Sequence, residues 1–366
     1  MQLSRKEIDD LPTVLFILDK IAQSEEKLRN DKRWRLLLSD MGAEDKFEIR
    51  LESANGPYVL HPTSSTVNIF FRGQTDYHSE CLPTIYRKEK NQPRDELEIF
   101  IDRLRSIEFE LLLKTHPFVK SIYERGLLIQ GKEQPVPIKV DYLGLAQHYE
   151  LKTDLMDFTN DKWVAAFFAT CSKVKGEYVP VKNGGYGVIY SYTVLPEPFD
   201  QSVQPAQKYT EKFTAIGLQP FPRPGEQKGF ALKLEPGQEL NTLQGVTQHF
   251  FRHNYKAAEV IYNRMNQGKS LFPEDKLINM AKKLKNSKKI SKTALRKAFK
   301  RYPVAGSDEQ ELEQKCRDKG LVFVDTPVVS FSRNDEHLFW NQWDNGAKQK
   351  FLSQLVFRRV YYGNKC

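Results

Sequence analysis

The sequence predicts an α+β protein on a mixed or mainly antiparallel sheet with flanking helices, plus a β-rich C-terminal extension. Three observations predict it. Asp95–Thr115 sets Leu97, Phe100, Ile101, Leu104, Ile107 and Leu111 at helical spacing, with charges expected to fill the opposite face. Val67–Arg72 and Val188–Val194 are short runs rich in β-branched and aromatic residues, and Gly229–Leu234 alternates as a strand. Turn signals, Asn55-Gly-Pro and Gly184-Gly185, punctuate the chain between such runs.

The elements follow in order. Asp10-Leu-Pro-Thr reads as a helix start, with Asp10 as cap and Leu11, Val14, Leu15, Leu18 and Ile21 on the buried face. A short helix is expected over Arg33–Leu38, and Asn55-Gly-Pro is a turn before the strand Val67–Arg72. After the long helix, Tyr142–Tyr149 reads as a short one, Thr153–Asp161 as irregular, and Lys162–Ser172 as a buried helix carrying Trp163, Phe167 and Cys171. Gly184-Gly185 signals a hairpin into Val188–Val194. Pro196–Gly225, with six prolines, reads as a long loop. Strands are expected at Gly229–Leu234, Glu259–Arg264 and Leu321–Phe331, a helix pair at Pro273–Lys285 and Ser291–Arg301, and an aromatic tail at Leu355–Tyr362. This divides the chain into an N-terminal helical segment (1–62), a central domain (63–286), and a basic helix with C-terminal extension (287–366).

Composition narrows the class. With 40% hydrophobic and 28% charged residues in 366, the chain can build a sizeable core and is not globally disordered. No apolar run approaches the roughly 20 residues of a membrane helix; the longest, such as Val14–Leu18 and Val164–Ala169, are core-sized. Early acids and no apolar stretch mark the N-terminus, which predicts a cytoplasmic protein without a membrane partner. Cys81, Cys171, Cys316 and Cys366 are far apart with no CxxC pair, which argues against a disulfide framework or a thiolate zinc site. The net charge of +9 is concentrated: Ala281–Arg301 holds ten cations and no acid, and the remainder is close to neutral.

Four blocks carry the functional information: Phe71-Arg-Gly-Gln; Leu82-Pro-Thr-Ile-Tyr-Arg87; Gln147-His-Tyr-Glu-Leu-Lys-Thr-Asp-Leu-Met-Asp-Phe-Thr159 with Trp163-Val-Ala-Ala-Phe-Phe-Ala169; and Gln227-Lys-Gly-Phe230. Their order and form resemble the FRG domain family, named for its Phe/Tyr-Arg-Gly motif, from about Val67 to Lys285. Family members usually carry Gly-Leu-Pro-Thr-Arg-Leu-Leu-Asp-Trp-Thr where this chain has Glu150–Thr159, so the family's Arg is Asp154 here and its Trp is Phe158. The family is best known as a module of unassigned function in bacterial and phage proteins.

A more distant resemblance is to ADP-ribosyltransferases of the Arg–Ser–Glu class: an Arg on a strand, a hydroxyl before a helix, then Glu or Gln after a loop. It implies a related core and an enzyme that consumes NAD, by transfer or hydrolysis, as a bacterial toxin or anti-phage effector. Arg72 would anchor NAD, with Gly73, Gln147, His148 and Thr153 about the cofactor. Thr159 or Thr153 would order the nicotinamide side, and Gln227, with Glu226, would contact the ribose. Electrostatic complementarity to an oxocarbenium-like transition state would be the main catalytic effect. Gln227 lacks the basicity to activate an acceptor guanidinium.

Each residue also has a plainer reading. Arg72 can be an ion-pair partner of Asp157, Asp157 and Thr159 can be cap and turn residues, and His148 can be a core histidine. Trp163, Phe167 and Phe168 read as core. Asp154, Asp157 and Asp161 lack the further ligands that a metal site needs, so no metal is expected. The alternative function is a non-catalytic nucleotide- or nucleic-acid-binding module. For that role Lys282, Lys285, Lys289, Lys292, Arg296, Lys297 and Lys300 form a basic helical face suited to phosphates, against the bland alternative of a solvated lysine face. An antitoxin or effector is the other partner considered.

Overall fold

The computed structural model describes residues 3–30, 47–51, 57–62, 68–88, 92–126, 134–194, 213–217, 219–349 and 351. The helix expected over Arg33–Leu38, the Asn55–Gly56 turn, Cys366 and the aromatic tail at Leu355–Tyr362 lie outside them.

Two helices open the chain, α1 (Arg5–Asp10) and α2 (Val14–Asn30). Asp10 ends α1 rather than capping α2, because Ser4 and Glu7 already close a capping box over α1. The strands β1 (Phe47–Leu51) and β2 (Tyr58–Pro62) pair antiparallel, and β3 (Asn68–Gln74) follows. The long helix is α3 (Glu96–Lys114), started by an Asp95–Glu98 capping box, with a turn of helix α4 (Pro117–Val119) behind it. Next come α5 (Tyr142–His148), β4 (Leu155–Thr159) and α6 (Lys162–Thr170). Thr153–Asp161 therefore holds a strand where irregular chain was expected. Leu155, Met156, Phe158 and Thr159 are buried between neighbours, and tertiary pairing overrides the local capping residues.

The chain continues through β5 (Cys171–Val174), β6 (Glu177–Pro180) and β7 (Tyr186–Val194). The hairpin turn here is Lys175-Gly176, both at positive φ, between β5 and β6. Gly184 and Gly185 also take positive φ, but they lead into β7, which pairs with other strands. Then follow β8 (Phe213–Ala215), α7 (Pro222–Glu226), β9 (Gly229–Lys233) and β10 (Val246–Arg252). The described part of the proline-rich stretch thus holds a strand and a helical turn rather than one loop.

Glu259–Arg264 is not a strand but the end of α8 (Tyr255–Arg264). Asn254 caps it, and Ala257, Ala258 and Ile261 are buried at helical spacing, while Val260 faces out. After α9 (Lys276–Asn286) come β11 (Lys289–Ser291), α10 (Lys292–Arg301), α11 (Glu309–Asp318), β12 (Val322–Val324) and α12 (Arg333–Gln342). The C-terminal extension was expected to be β-rich. Among the described residues it is mainly helical, and the strand expected over Leu321–Phe331 shrinks to β12, because capping boxes at Asp308 and Ser332 start α11 and α12 on either side.

The main sheet runs β10-β7-β3-β4-β9-β8, every pair antiparallel. Alternation along β3 divides its faces: Phe70 joins one core and Phe71 the other. On the Phe71 face lie α2, α6 and α8; on the Phe70 face lie α3, α5 and the segment around α12. A third core joins Phe100, Ile101, Leu104 and Ile107 of α3 to Ala294, Leu295 and Ala298 of α10 and to Leu312 and Phe323. Because α3 is covered on two sides, its acids are not all on a wet face: Asp102, Glu108 and Glu110 are buried. Each has partners, Arg94 (2.6 Å) and Arg105 (2.8 Å) for Asp102, the Ser291 amide for Glu108, and Lys297 with Arg301 for Glu110.

Candidate functional site

Strands β3 and β4 meet at a single register pair, Phe71 with Thr159. Beyond it Arg72 Nη1 donates to the Asp157 main-chain oxygen at 2.9 Å. The guanidinium thus bonds the backbone of Asp157 rather than its carboxylate, and pins β4 at that residue. Gly73 serves the opposite face of the sheet. A Cβ there would stand 1.8 Å from the Ala165 carbonyl oxygen, so its bare backbone admits α6 rather than a ligand.

The Asp157 side chain is held by α5. Asp141 caps that helix through the Gly144 amide at 2.8 Å, which sets Gln147 and His148 on its last turn. Gln147 Nε2 donates to Asp157 Oδ2 at 3.1 Å. Its Oε1 accepts from Thr153 Oγ1 at 2.5 Å and from Thr84 Oγ1 at 3.3 Å, which fixes the amide's orientation. Thr153 is therefore a positioning residue for Gln147.

His148 is buried. Its Nδ1 lies 3.1 Å from Gln227 Oε1, and Gln227 Nε2 donates to the Leu271 carbonyl at 3.1 Å. That arrangement makes Nδ1 the protonated nitrogen and leaves Nε2 as an acceptor. Nε2 stands 4.0 Å from Asp157 Oδ1, and neither atom has a hydrogen-bond partner in the protein. Burial depresses the His148 pKa, opposed by Asp157, so the ring is neutral near pH 7. The ring also lies over Gly229, where a Cβ would stand 2.5 Å from Cε1 and Nε2. The Gln227-Lys-Gly block thus has a physical reason: an amide to orient the histidine and a glycine to make room for it.

These groups line a cavity of about 530 Å³. Asp157, Gln147, His148, Gln227 and Thr84 belong to its polar lining. Cations dominate the rest: Arg87, Lys88, Lys152, Lys173, Arg223 and Lys285. Tyr178 and Phe272 add a stacked aromatic pair, ring centroids 4.7 Å apart at 15°. Arg87 Nε donates to the Leu82 carbonyl at 3.0 Å; burial, then the nearby Arg72, push its guanidinium below its ordinary value. Of the two acids in the lining, Glu150 pairs with Lys173 and Arg223, whereas Asp157 accepts from Gln147 through Oδ2 and turns Oδ1 toward His148.

Other expected site residues go elsewhere. Thr159 Oγ1 accepts from the Asp161 amide at 3.1 Å, and Asp161 in turn caps α6, so Thr159 makes a turn. Glu226 is exposed and lines a second, larger cavity of about 1470 Å³ with Asn160, Lys228 and Phe339. Asp154, Asp157 and Asp161 do not converge: Asp161 bonds Lys228 at 2.6 Å, and among the described residues no group of three His, Cys, Asp or Glu is placed to hold a metal. Arg87, Lys173, Tyr178, Arg223 and Phe272 are site residues that sequence reasoning missed. Arg87 ends the Leu82–Arg87 block; the others carry no local signal.

The family model of the FRG domain matches residues 67–177. The chain carries an FRG domain. No curated protein and no solved structure matches the chain. Arg87, Gln147, His148, Asp157 and Lys173 line the cavity from within the FRG match, Arg72 supports it from behind through the Asp157 backbone, and Arg223, Gln227 and Phe272 reach it from beyond the match.

In the basic segment Lys282, Lys285, Lys289, Arg296 and Lys300 are exposed. Lys297 is spent on buried Glu110, and Lys292 pairs with Asp325 at 3.1 Å. Lys285 connects this face to the cavity, whose lining it joins. Among the described residues no helix is long and apolar enough to cross a membrane.

Proposed function

We propose that the FRG domain binds a ribose- and phosphate-bearing nucleotide in the 530 Å³ cavity, and that the reaction it supports is cleavage of NAD at the nicotinamide–ribose bond, with nicotinamide leaving and water or an acceptor nucleophile bonding the anomeric carbon. One observation carries this: the carboxylate of Asp157, 39% exposed and oriented by Gln147, stands in a lining otherwise dominated by cations. Cations suit phosphates, but a carboxylate repels them. It fits a part of the ligand that is not phosphate, such as ribose hydroxyls, and it favours positive charge developing at the anomeric carbon.

The roles then divide by chemistry. Arg87 and the lysines of the lining hold phosphate oxygens, and the Tyr178–Phe272 pair offers a plane for a base. Asp157 supplies negative charge opposite the sugar. His148, fixed by Gln227 and packed over Gly229, keeps a lone pair beside that carboxylate. NAD depletion by such a chain inside a bacterium would make it a toxin or an anti-phage effector.

A binding module that breaks no bond is the second reading, favoured by the way Gln227 is spent. Its oxygen holds His148 and its nitrogen holds Leu271, so the amide is committed within the protein. Calorimetric titration with NAD and with ADP-ribose tests the shared claim. Both are expected to bind, and Arg87→Ala to weaken both by about tenfold or more. Absence of binding by either ligand to the folded wild-type protein would rule out both readings of the cavity.

A further inference from the structure

Glu150 sits where a residue of its type is costly. It follows the C-cap of α5 at φ +67, the left-handed backbone that favours glycine. Its carboxylate is committed there to two cations through one atom: Oε1 accepts from Lys173 Nζ at 2.7 Å and from Arg223 Nη2 at 3.2 Å. Burial alone would raise this carboxyl, but Lys173 and then Arg223 outweigh it and hold it at about 2. All three residues line the cavity.

Arg223 is the unusual member. Its side chain is 8% exposed, its guanidinium lies over the Phe272 ring at 5.0 Å, and its Nε is buried with no hydrogen-bond partner. A guanidinium is built for two parallel bonds along its Nε–Nη edge, and the single carboxylate oxygen takes only one of them. Glu150 itself is 44% exposed and free to swing outward without opening a core.

We infer that Lys173 and Arg223 form a phosphoryl-binding subsite, and that the Glu150 carboxylate competes for it. This takes the cavity as a site for a phosphate-bearing ligand, as proposed above. A phosphoryl group carries the oxygens to satisfy Lys173 and both edges of the Arg223 fork, so it replaces Glu150 with a gain in bonds. Glu150 is then a specificity residue: it screens out weak anions and yields to a phosphoryl group.

The test is calorimetric titration of the full chain with inorganic phosphate and with pyrophosphate, the two arms separating a monophosphate from a diphosphate ligand. Glu150→Gln is expected to bind at least one of them about tenfold tighter than wild type. Adding Lys173→Ala to that variant is expected to reverse the gain. Glu150→Gly, which relieves the left-handed backbone, repeats the test should the glutamine variant fold poorly. Glu313→Gln, which removes an acid on α11, controls for net charge and is expected to change nothing. Equal affinity in wild type and both Glu150 variants, or the same gain in Glu313→Gln, overturns the inference. If phosphate behaves as expected but NAD binds no variant, the subsite stands and the nucleotide reading falls. If NAD binds and phosphate affinity ignores Glu150, the subsite falls alone.

Discussion

His148 Nε2 and Asp157 Oδ1 face each other across 4.0 Å, and neither has a hydrogen-bond partner in the protein. With Nδ1 donating to Gln227, the neutral ring turns a lone pair toward a carboxylate. A proton on Nε2 would convert this opposition into an ion pair. Burial works against that proton and Asp157 works for it.

The His148 ring is therefore expected to titrate below the ordinary histidine value in the wild type, and lower still in Asp157→Asn. Nuclear magnetic resonance of the ring Cε1 proton across pH 4 to 8 measures this. A rise in Asp157→Asn would mean that the carboxylate does not act on the ring.

Gly229→Ala is expected to destabilise the protein by about 1–3 kcal/mol, since the added methyl group meets the His148 ring at 2.5 Å in a filled site. Urea denaturation gives the number. The same variant should lose nucleotide binding, because the ring cannot shift without leaving Gln227. Alanine at the solvent-facing Gly237, whose Cβ would meet nothing within 4 Å, provides a contrast in which only the positive φ of +82 is felt.

Much of the frame was legible in the sequence, for identifiable reasons. The helix α3 declares itself because its apolar residues recur at helical spacing, and the strands β3, β7 and β9 because they are short, mainly apolar runs bounded by turn residues. The helix α8 was misread because Val260, Ile261 and Tyr262 favour strands locally, while the burial of Ala257, Ala258 and Ile261 decides for helix. The strand β4 was hidden among capping residues whose pairing partner, β9, lies about 75 residues on. The site was half legible. Gln147, His148, Thr153 and Gln227 do come together, and Arg72 supports Asp157 from its backbone side. Arg223 and Phe272 were out of reach, because only folding brings them to a cavity lined mainly by residues 84–178.

The basic segment divides into structural and free cations. Lys297→Ala is expected to cost about 1–2 kcal/mol, less than full loss of a buried pair because Arg301 still holds Glu110 at 2.8 Å. Arg296→Ala and Lys300→Ala, both exposed, should change stability by less than about 0.5 kcal/mol. On the nucleic-acid reading these same two variants lower the salt-dependent affinity for a DNA or RNA oligomer. Thermal unfolding beside filter binding separates the two effects.

Acid should weaken the fold through His116. Its ring is 1% exposed among Phe118, Phe221, Phe331 and Phe339, and burial pushes its pKa down to about 3. Between that value and the ordinary 6.5 the unfolded chain binds the extra proton, so stability is intact above pH 6.5 and falls as pH drops below it. The loss from this one ring approaches about 1.4 kcal/mol per pH unit. His116→Asn, which keeps an acceptor for the Phe118 amide but cannot titrate, should show a shallower decline between pH 6.5 and 5. An unchanged slope would assign the acid sensitivity elsewhere.

The most direct test of the central claim is nicotinamide release from NAD by wild type and by Asp157→Asn, with binding measured on the same samples. Wild type is expected to release nicotinamide. The folded asparagine variant is expected to bind NAD at least as well, having lost a carboxylate that repels phosphate, yet to turn over some 100-fold or more slower. Equal turnover by the two proteins, or wild-type binding of NAD without any release, would contradict the enzymatic reading and leave a binding module.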